Sequence, residues 1–507
     1  MTTSRGQGGT SGAETAAEPV LSSLIPARLD RLPWSPFHTK LVAALGTAWL
    51  LDGLEIQVAS AVSGVWSKPD TLNLSSWAVG LVATVYLLGE IVGALVFGRL
   101  SDTLGRKRLF VITHAVYLVG SGLTALTFGS GWYWLVFLYL TRFVAGTGIG
   151  GEYAAINAAI DELIPAKYRG RVDVAVNATY WGGAIVATLG TFVLLNAIPV
   201  NLGWRLGFLI GPVLGVVIIW VRRRLPESPR WEIMRGRPEA AEQSIARIEH
   251  DVAASGVSIP VVDPRSAVDL VPTTGNGYLA LVRVLFRDSP ARSVLGAALM
   301  IAQSFLYNAI FFTYALVLTK IYHVADGEVP LFFIAFAAGN FIGPLIFGRF
   351  FDTVGRRPMI GGTYLLSGGL LVATAFLFRA GMLTAATQTV AWSIIFFIGS
   401  AGVGAAYLTV SEIFPLEVRS KAIAVFFAIA QGFGALGPVI YGALIGDGAD
   451  RTGLFYGYLV GATVMMLGGV IALLLGVAAE GRSLEDITPP LSAVARHPGQ
   501  AQDGKPD

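Results

Sequence analysis

The sequence predicts an all-α membrane protein of twelve transmembrane helices arranged as two pseudo-symmetric six-helix bundles. Three observations carry that prediction. Of 507 residues, 54% are hydrophobic and only 14% charged, with a mean hydropathy of +0.64. A soluble domain carries about 25% charged residues, so most of this surface does not face water. Twelve apolar runs approach the roughly 20 residues that a helix needs to cross a bilayer. Finally, a polar clasp, Gly98-Arg99-Leu100-Ser101-Asp102-Thr103-Leu104-Gly105-Arg106-Lys107-Arg108, returns 250 positions later as Gly348-Arg349-Phe350-Phe351-Asp352-Thr353-Val354-Gly355-Arg356-Arg357. The same offset carries Gly89 and Gly93 onto Gly339 and Gly343, Glu162 and Arg169 onto Glu412 and Arg419, and Gly211 onto Gly461. A register held over more than a hundred residues marks two copies of one unit.

Taken in order, residues 1–38 are polar and rich in Gly, Ser, Thr, Ala and Pro, and read as a disordered cytoplasmic tail. No apolar signal-peptide core precedes Leu41. The first bundle, 39–221, has spans at about 41–63, 77–98, 109–129, 132–157, 172–195 and 204–221. Residues 222–290 form a polar cytoplasmic linker with short helices, of which Pro238 to Glu249 has helical apolar spacing. The second bundle, 291–480, has spans at about 293–320, 329–348, 360–378, 390–410, 421–445 and 453–478, and 481–507 is a cytoplasmic tail. The 61 glycines suit close helix approach in lipid and would weaken soluble helices.

Charge placement sets the orientation. Arg99, Arg106, Lys107, Arg108, Lys167, Arg169 and Arg171 share one side with Arg349, Arg356, Arg357, Arg419 and Lys421, whereas the opposite loops hold Lys68, Lys320, Arg379 and Arg451. Lys and Arg accumulate on the cytoplasmic side, so both termini are expected there, in an inner or plasma membrane. The absence of cysteine removes disulfides, thiol catalysis and cysteine-ligated metals. The net charge of +3 forms no nucleic-acid face. No cofactor, metal ligand set or catalytic constellation is expected, and the chain does not read as an enzyme.

Ionisable groups within a bilayer mark function by default. Asp52 and Glu55 lie three apart on the first span and share a face. Glu55 is roughly 21 Å from the cytoplasmic end of its helix, and Arg142 on the fourth span roughly 15 Å from the outer end, so the two fall at similar depth. An arginine favours the charged form of a neighbouring carboxylate and a dry interior favours the neutral form, so such a pair can take up and release one proton per cycle. Glu90 is a third buried acid, either a second proton site or a partner of a Ser or Tyr across helices. Solute binding is expected between the halves at mid-depth. Gln303, Asn308, Tyr307 and Tyr314 on the seventh span, Asn177, Tyr180 and Trp181 on the fifth, and Trp392 and Tyr407 on the tenth supply aromatic faces and amides suited to a small polar or aromatic solute. Glu152 is expected to pair with Arg169 or Arg171. The glycines of Gly146-Thr147-Gly148-Ile149-Gly150-Gly151 superficially resemble a dinucleotide loop but lie within an apolar run, and are read as helix packing.

These residues resemble the major facilitator superfamily. The clasp resembles that superfamily's loop 2–3 motif and its loop 8–9 echo. Pro226-Glu227-Ser228-Pro229-Arg230-Trp231, Glu412-Ile413-Phe414-Pro415 with Arg419, and Glu480-Gly481-Arg482 resemble the sugar-porter branch, whereas Gly150-Gly151-Glu152-Tyr153 and Asp52-Gly53-Leu54-Glu55 are similar to metabolite:proton symporters. The resemblance implies alternating access. It makes Asp102 with Arg106, and Asp352 with Arg356, latches of the cytoplasmic side, and Glu162–Arg169 and Glu412–Arg419 gating pairs. It gives Glu55 the place of a proton-coupling acid with Arg142 as its partner, and makes Asp52 the alternative carrier. Of the sugar porters' helix-seven amides only Gln303 and Asn308 are present, with Ala302 in place of a glutamine and Tyr407 in place of the helix-ten tryptophan. The expected function is secondary active, proton-coupled uptake of a small organic solute, sugar-like or a carboxylate or aromatic acid such as nicotinate, by a monomer in the lipid bilayer. An uncoupled facilitator, a drug:proton antiporter and a non-transporting sensor are the alternatives.

Overall fold

The structure is a computed structural model that describes residues 21–222, 227–270, 278–414, 416–448 and 450–477. The first bundle is built from α2 (Pro36–Ala61), α3 (Ser76–Leu104), α4 (Arg106–Thr124), α5 (Trp132–Leu163), α6 (Ala166–Ala197) and α7 (Val200–Arg222), preceded by β1 (Leu21–Ser23) and α1 (Ile25–Asp30). The linker holds α8 (Pro229–Met234), α9 (Pro238–Ala253), β2 (Val268–Leu270) and α10 (Tyr278–Arg283). The second bundle follows as α11 (Pro290–Leu316), α12 (Val329–Thr353), α13 (Arg356–Arg379), α14 (Ala385–Glu412), α15 (Leu416–Gly434), α16 (Leu436–Ile445) and α17 (Thr452–Leu475).

Each expected span coincides with a helix. Among the described residues, ten are long and apolar enough to cross a membrane, and Val200–Val216 of α7 is a shorter apolar stretch. The remaining one, α4, opens with Arg106-Lys107-Arg108. The eleventh span is interrupted between α15 and α16, where Pro438 lacks the N–H that a continuous helix would need. The carbonyl of Ala435 at this break accepts Thr84 Oγ1 of α3 at 2.6 Å.

Glycine sets the closeness of the helix pairs. Gly89 and Gly93 of α3 face Gly146 and Gly150 of α5, and a Cβ added at Gly150 would sit 2.0 Å from the Glu90 carbonyl. The glycine run in the fourth span is therefore a packing surface, as its sequence context implied. The repeat reproduces this contact: Gly343 of α12 meets the Phe397 carbonyl of α14 in the same way. Gly105 and Gly355 occupy equivalent turns at φ +84° and +107°, a region that favours glycine, immediately before α4 and α13.

The end bearing the two clasps, termed here the clasp end, also carries the linker. Residues 21–38 depart from the expected disordered tail. Leu21–Ser23 pairs antiparallel with Val268–Leu270, and Ile25, Leu29 and Leu32 are buried in one cluster with Ile245, Ile248 and Val252 of α9. Arg28 clamps Glu249 with both Nε (3.0 Å) and Nη2 (2.5 Å), and Arg31 adds a third contact at 2.5 Å. The apolar stripe of α9 had no evident partner in sequence; α1 supplies part of it. At the opposite, far end, Ser60 Oγ donates to the Phe311 carbonyl (2.5 Å), Ser76 Oγ to the Gly446 carbonyl (2.8 Å) and Asn196 Nδ2 to the Gly327 carbonyl (3.0 Å), while Lys68 pairs with Asp326. All four contacts join one half to the other.

Candidate functional site

The interior of the first bundle holds an ion pair. Arg142 Nη1 of α5 donates to Glu55 Oε1 of α2 at 2.8 Å, and both side chains are 1% exposed. Tyr86 and Phe208 lie against the guanidinium, its carbon 4.4 and 5.3 Å from their ring centroids, so the cation is held by two aromatic faces and one carboxylate. Gly211 of α7 makes room beside it: a Cβ there would be 3.1 Å from Tyr117 Oη and 3.7 Å from Glu55 Oε2. Asp52 is fully buried one turn away on α2. The expectation that Glu55 and Arg142 meet at one depth holds in the geometry, because α2 and α5 run through the same layer.

Between the halves lies a cavity of about 200 Å³, below the roughly 300–1,000 Å³ of drug-sized pockets and suited to a small solute. Of the nine expected solute residues, Gln303, Tyr307, Asn308, Asn177, Tyr180, Trp181 and Tyr407 line it. Trp392 and Tyr314 do not. They pack on one another with centroids 5.0 Å apart, and Tyr314 Oη bonds Thr389, in the core of the second bundle. Both lie toward the far end of their helices, where the same face of the helix has turned from the cavity to its bundle. Trp49, Tyr153, Ser304, Phe311 and Gln431 also line it and were missed. Tyr153 belongs to the Glu152-Tyr153 pair, but only packing reveals that it stacks near Tyr407 and Phe427, centroids 6.4 and 4.7 Å away.

At mid-depth the described wall is neutral and hydrogen-bonded. Gln303 Nε2 donates to Tyr407 Oη at 3.2 Å; Ser304 Oγ and Asn308 Nδ2 donate to Gln431 Oε1 at 2.6 and 3.2 Å; Tyr307 Oη donates to Asn340 Oδ1 at 2.8 Å. Gln431 Nε2 in turn donates to Glu90. Glu90 thus bonds across the halves to an amide, not to the Ser or Tyr foreseen. The ion pair Glu55–Arg142 lies outside the lining, so the charged centre and the cavity are adjacent but distinct.

Toward the clasp end the cavity reaches Gly348, Phe351 and Arg356. Arg356 pairs there with Glu412, a contact that the expected Glu412–Arg419 pairing did not include. A start-of-helix arginine on α13 reaches the last turn of α14 because the two helices pack side by side. The Arg419 side chain, like those of Asp102, Arg106 and Asp352, lies outside the described residues. Arg169 Nη2 bonds Asp30 of α1 at 3.2 Å and its Nε donates to the Ile164 carbonyl at 3.1 Å, two partners the sequence did not suggest. Glu162 is half-buried near the end of α5. His114 Nδ1 of α4 lies 3.3 Å from Glu152 Oε2, with both side chains fully buried; of the arginines foreseen for Glu152, the Arg171 side chain lies outside the described residues. At the first clasp, Glu227 Oε2 accepts the Lys107 N–H at 3.4 Å, placing a carboxylate at the start of α4.

Comparison with known proteins agrees with this architecture. The family model described as Sugar (and other) transporter matches residues 42–490. The niacin transporter NiaP of Acinetobacter baylyi is 23% identical over 91% of this chain and 99% of its own length. The myo-inositol transporter 2 of Schizosaccharomyces pombe is 29% identical over 75% of this chain and 69% of its own. Among solved structures, the proton:xylose symporter XylE bound to 6-bromo-6-deoxy-D-glucose superposes with a TM-score of 0.68 at 18% identity, covering 89% of this chain and 98% of that one. The inward open conformation of XylE from E. coli gives 0.65 at 18% identity over the same shares. Twelve helices in two repeated bundles around a central cavity, with a family match over most of the chain, establish it as a member of the sugar (and other) transporter family of the major facilitator superfamily, a multi-pass membrane protein and secondary transporter.

Proposed function

We propose that this chain is a proton-coupled symporter that takes up a small aromatic carboxylate of about the size of nicotinate, with the clasp end facing the cytoplasm of an inner or plasma membrane. One observation carries the coupling: a lone glutamate–arginine pair, Glu55 with Arg142, kept dry within one half and beside, not inside, the solute cavity. Breaking such a pair in a low-dielectric interior is costly. Protonation of Glu55 removes the charge that holds the Arg142 guanidinium and loosens α2 from α5. Return of the carboxylate restores the hold, so the proton and the conformation change together. Asp52, one turn nearer the clasp end, is the adjoining acid on the route.

The solute class follows from the wall. Trp49, Trp181, Tyr180 and Phe311 offer ring faces, no carboxylate appears among the described lining residues, and Arg356, paired with Glu412, brings a guanidinium to the clasp end of the wall. A flat ring with one anionic group fits that composition, and the similarity to a niacin transporter supports it. A polyol is the second reading, favoured by the four amides Asn177, Gln303, Asn308 and Gln431 and by the similarity to a myo-inositol transporter. The bundles 39–221 and 291–480 would rock about the cavity as monomeric halves joined by 222–290, and Arg356–Glu412 would act as a strut that the second half makes and breaks.

The test is uptake of radiolabelled nicotinate and myo-inositol into proteoliposomes under an imposed pH gradient. Accumulation of nicotinate that collapses with a protonophore, and that Glu55→Gln abolishes, is expected. Gradient-independent uptake by the wild-type protein would make it a facilitator, and accumulation of myo-inositol alone would select the polyol reading.

A further inference from the structure

Helix α3 touches the ion pair and, through Gln431, a residue of the cavity wall. Tyr86 covers Arg142, and Glu90, one turn along the same face, accepts from Gln431 of the other half. Glu90 is 2% exposed. Its backbone is seated on α5, where Cβ atoms added at Gly146 and Gly150 would fall 3.1 Å from its N and 2.0 Å from its O. The helix therefore cannot shift toward α5.

A glutamine amide can present either its oxygen or its NH2 to a given neighbour. Glu90 Oε2 accepts from the NH2 of Gln431, which turns Oε1 of that amide toward Ser304 and Asn308, and both donate to it. Ser304 Oγ also accepts from Asn308 Nδ2 at 3.1 Å, so the triad Gln431, Ser304 and Asn308 is locked in one hydrogen-bonding sense. The repeat holds an independent parallel. Position 340 is the counterpart of 90, and Asn340 Oδ1 accepts Tyr307 Oη at 2.8 Å. Both positions hold a cavity side chain from behind.

We propose that Glu90 is a positioning residue for solute binding: from the first half, its carboxylate orients the Gln431 amide and through it the Ser304–Asn308 edge of the cavity in the second half. This rests on the reading of that cavity as the solute site. It also makes α3 the element through which the charged centre and the solute cavity meet, since one helix face carries Tyr86 against Arg142 and Glu90 against Gln431.

Two measurements test it on the full-length protein. Without solute, the melting temperatures of Glu90→Ala, Gln431→Ala and the double variant are compared. Non-additive shifts are expected, and additive ones overturn the contact. With nicotinate and myo-inositol as probes, Glu90→Ala is expected to raise KM by about ten-fold for the transported probe, the loss of one hydrogen bond to a charged group. Glu90→Gln, whose amide oxygen can still accept from Gln431, is expected to stay within about three-fold. An unchanged KM in Glu90→Ala overturns the proposal, as does Glu90→Gln losing pH-driven accumulation with KM intact, which would make Glu90 a proton site. Failure of the wider reading looks different: wild-type protein would then ignore the pH gradient while the melting temperatures still report the Glu90–Gln431 contact.

Discussion

The two halves share one backbone plan and differ in the chemistry of their interiors. In the first, Asp52, Glu55, Glu90, Arg142, His114 and Glu152 are all buried. In the second, the 250-residue offset replaces Glu90 with Asn340, Arg142 with Trp392 and Glu152 with Gly402. At mid-depth the second half offers amides, hydroxyls and rings, with Gln303, Asn308, Tyr307 and Gln431 around the cavity and Trp392 packed on Tyr314 where its counterpart holds an ion pair; its own ion pair, Arg356–Glu412, lies at the clasp end. Duplication conserved what packing needs, the glycine contacts of α3 with α5 and of α12 with α14. Divergence then kept the Glu55–Arg142 pair off the cavity wall, which is neutral at mid-depth and charged only at Arg356 among its described residues. A buried charge must be partnered and so is restricted to one geometry, whereas neutral amides can adapt to a ligand.

Several experiments break or sharpen this contrast. The largest effect is expected from Arg142→Leu, which leaves Glu55 buried without its cation; a loss of roughly 3–5 kcal/mol is anticipated, read as failure to fold or a large drop in melting temperature. Replacing both partners, Glu55→Leu with Arg142→Leu, should recover much of that stability while abolishing pH-driven accumulation, and a double variant that still concentrates solute would dissolve the division of labour. Next, Gly150→Ala drives a Cβ to 2.0 Å from the Glu90 carbonyl, so overpacking of about 1–3 kcal/mol should appear in thermal melting, while Gly182→Ala, with open space around it, should melt like the wild type. In the second half, Asn308→Ala is expected to raise KM by about ten-fold and leave the pH profile of transport in place; a shifted profile would show that the second half also carries the proton chemistry.

The smallest effect belongs to the surface of the clasp end. Burial alone would push the Glu249 carboxyl up, but hydrogen bonds from Arg28 and Arg31 outweigh it and hold it below the usual carboxylate range. A depressed carboxylate contributes fully above its unfolded value and is lost as pH falls through the lower, folded one. Docking of residues 21–32 on α9 should therefore persist at neutral pH and weaken only in acid below the ordinary glutamate range, near about 4.3. Partly exposed pairs contribute about 0–1 kcal/mol. Limited proteolysis after Arg31 across pH would show it, and release already at neutral pH would disprove the docking.

The number of spans, their approximate limits, the duplication and the common depth of Glu55 and Arg142 were readable along the chain, whereas their pairing was implied by the family resemblance. Apolar run length and a repeated register are local properties, and helix depth follows from counting residues along a rise of about 1.5 Å each. The aromatic-and-amide character of the cavity was legible too, because seven of the nine residues foreseen lie on cavity-facing turns. Which face each turn presents came from packing. Trp392 and Tyr314 turned into their own bundle, Gln431 of the eleventh span met Glu90 of the other half, and Glu412 met Arg356. Cross-helix partners depend on rotation about each helix axis. One residue of rotation is about 100°, a quantity that neither hydropathy nor spacing within a uniformly apolar helix records.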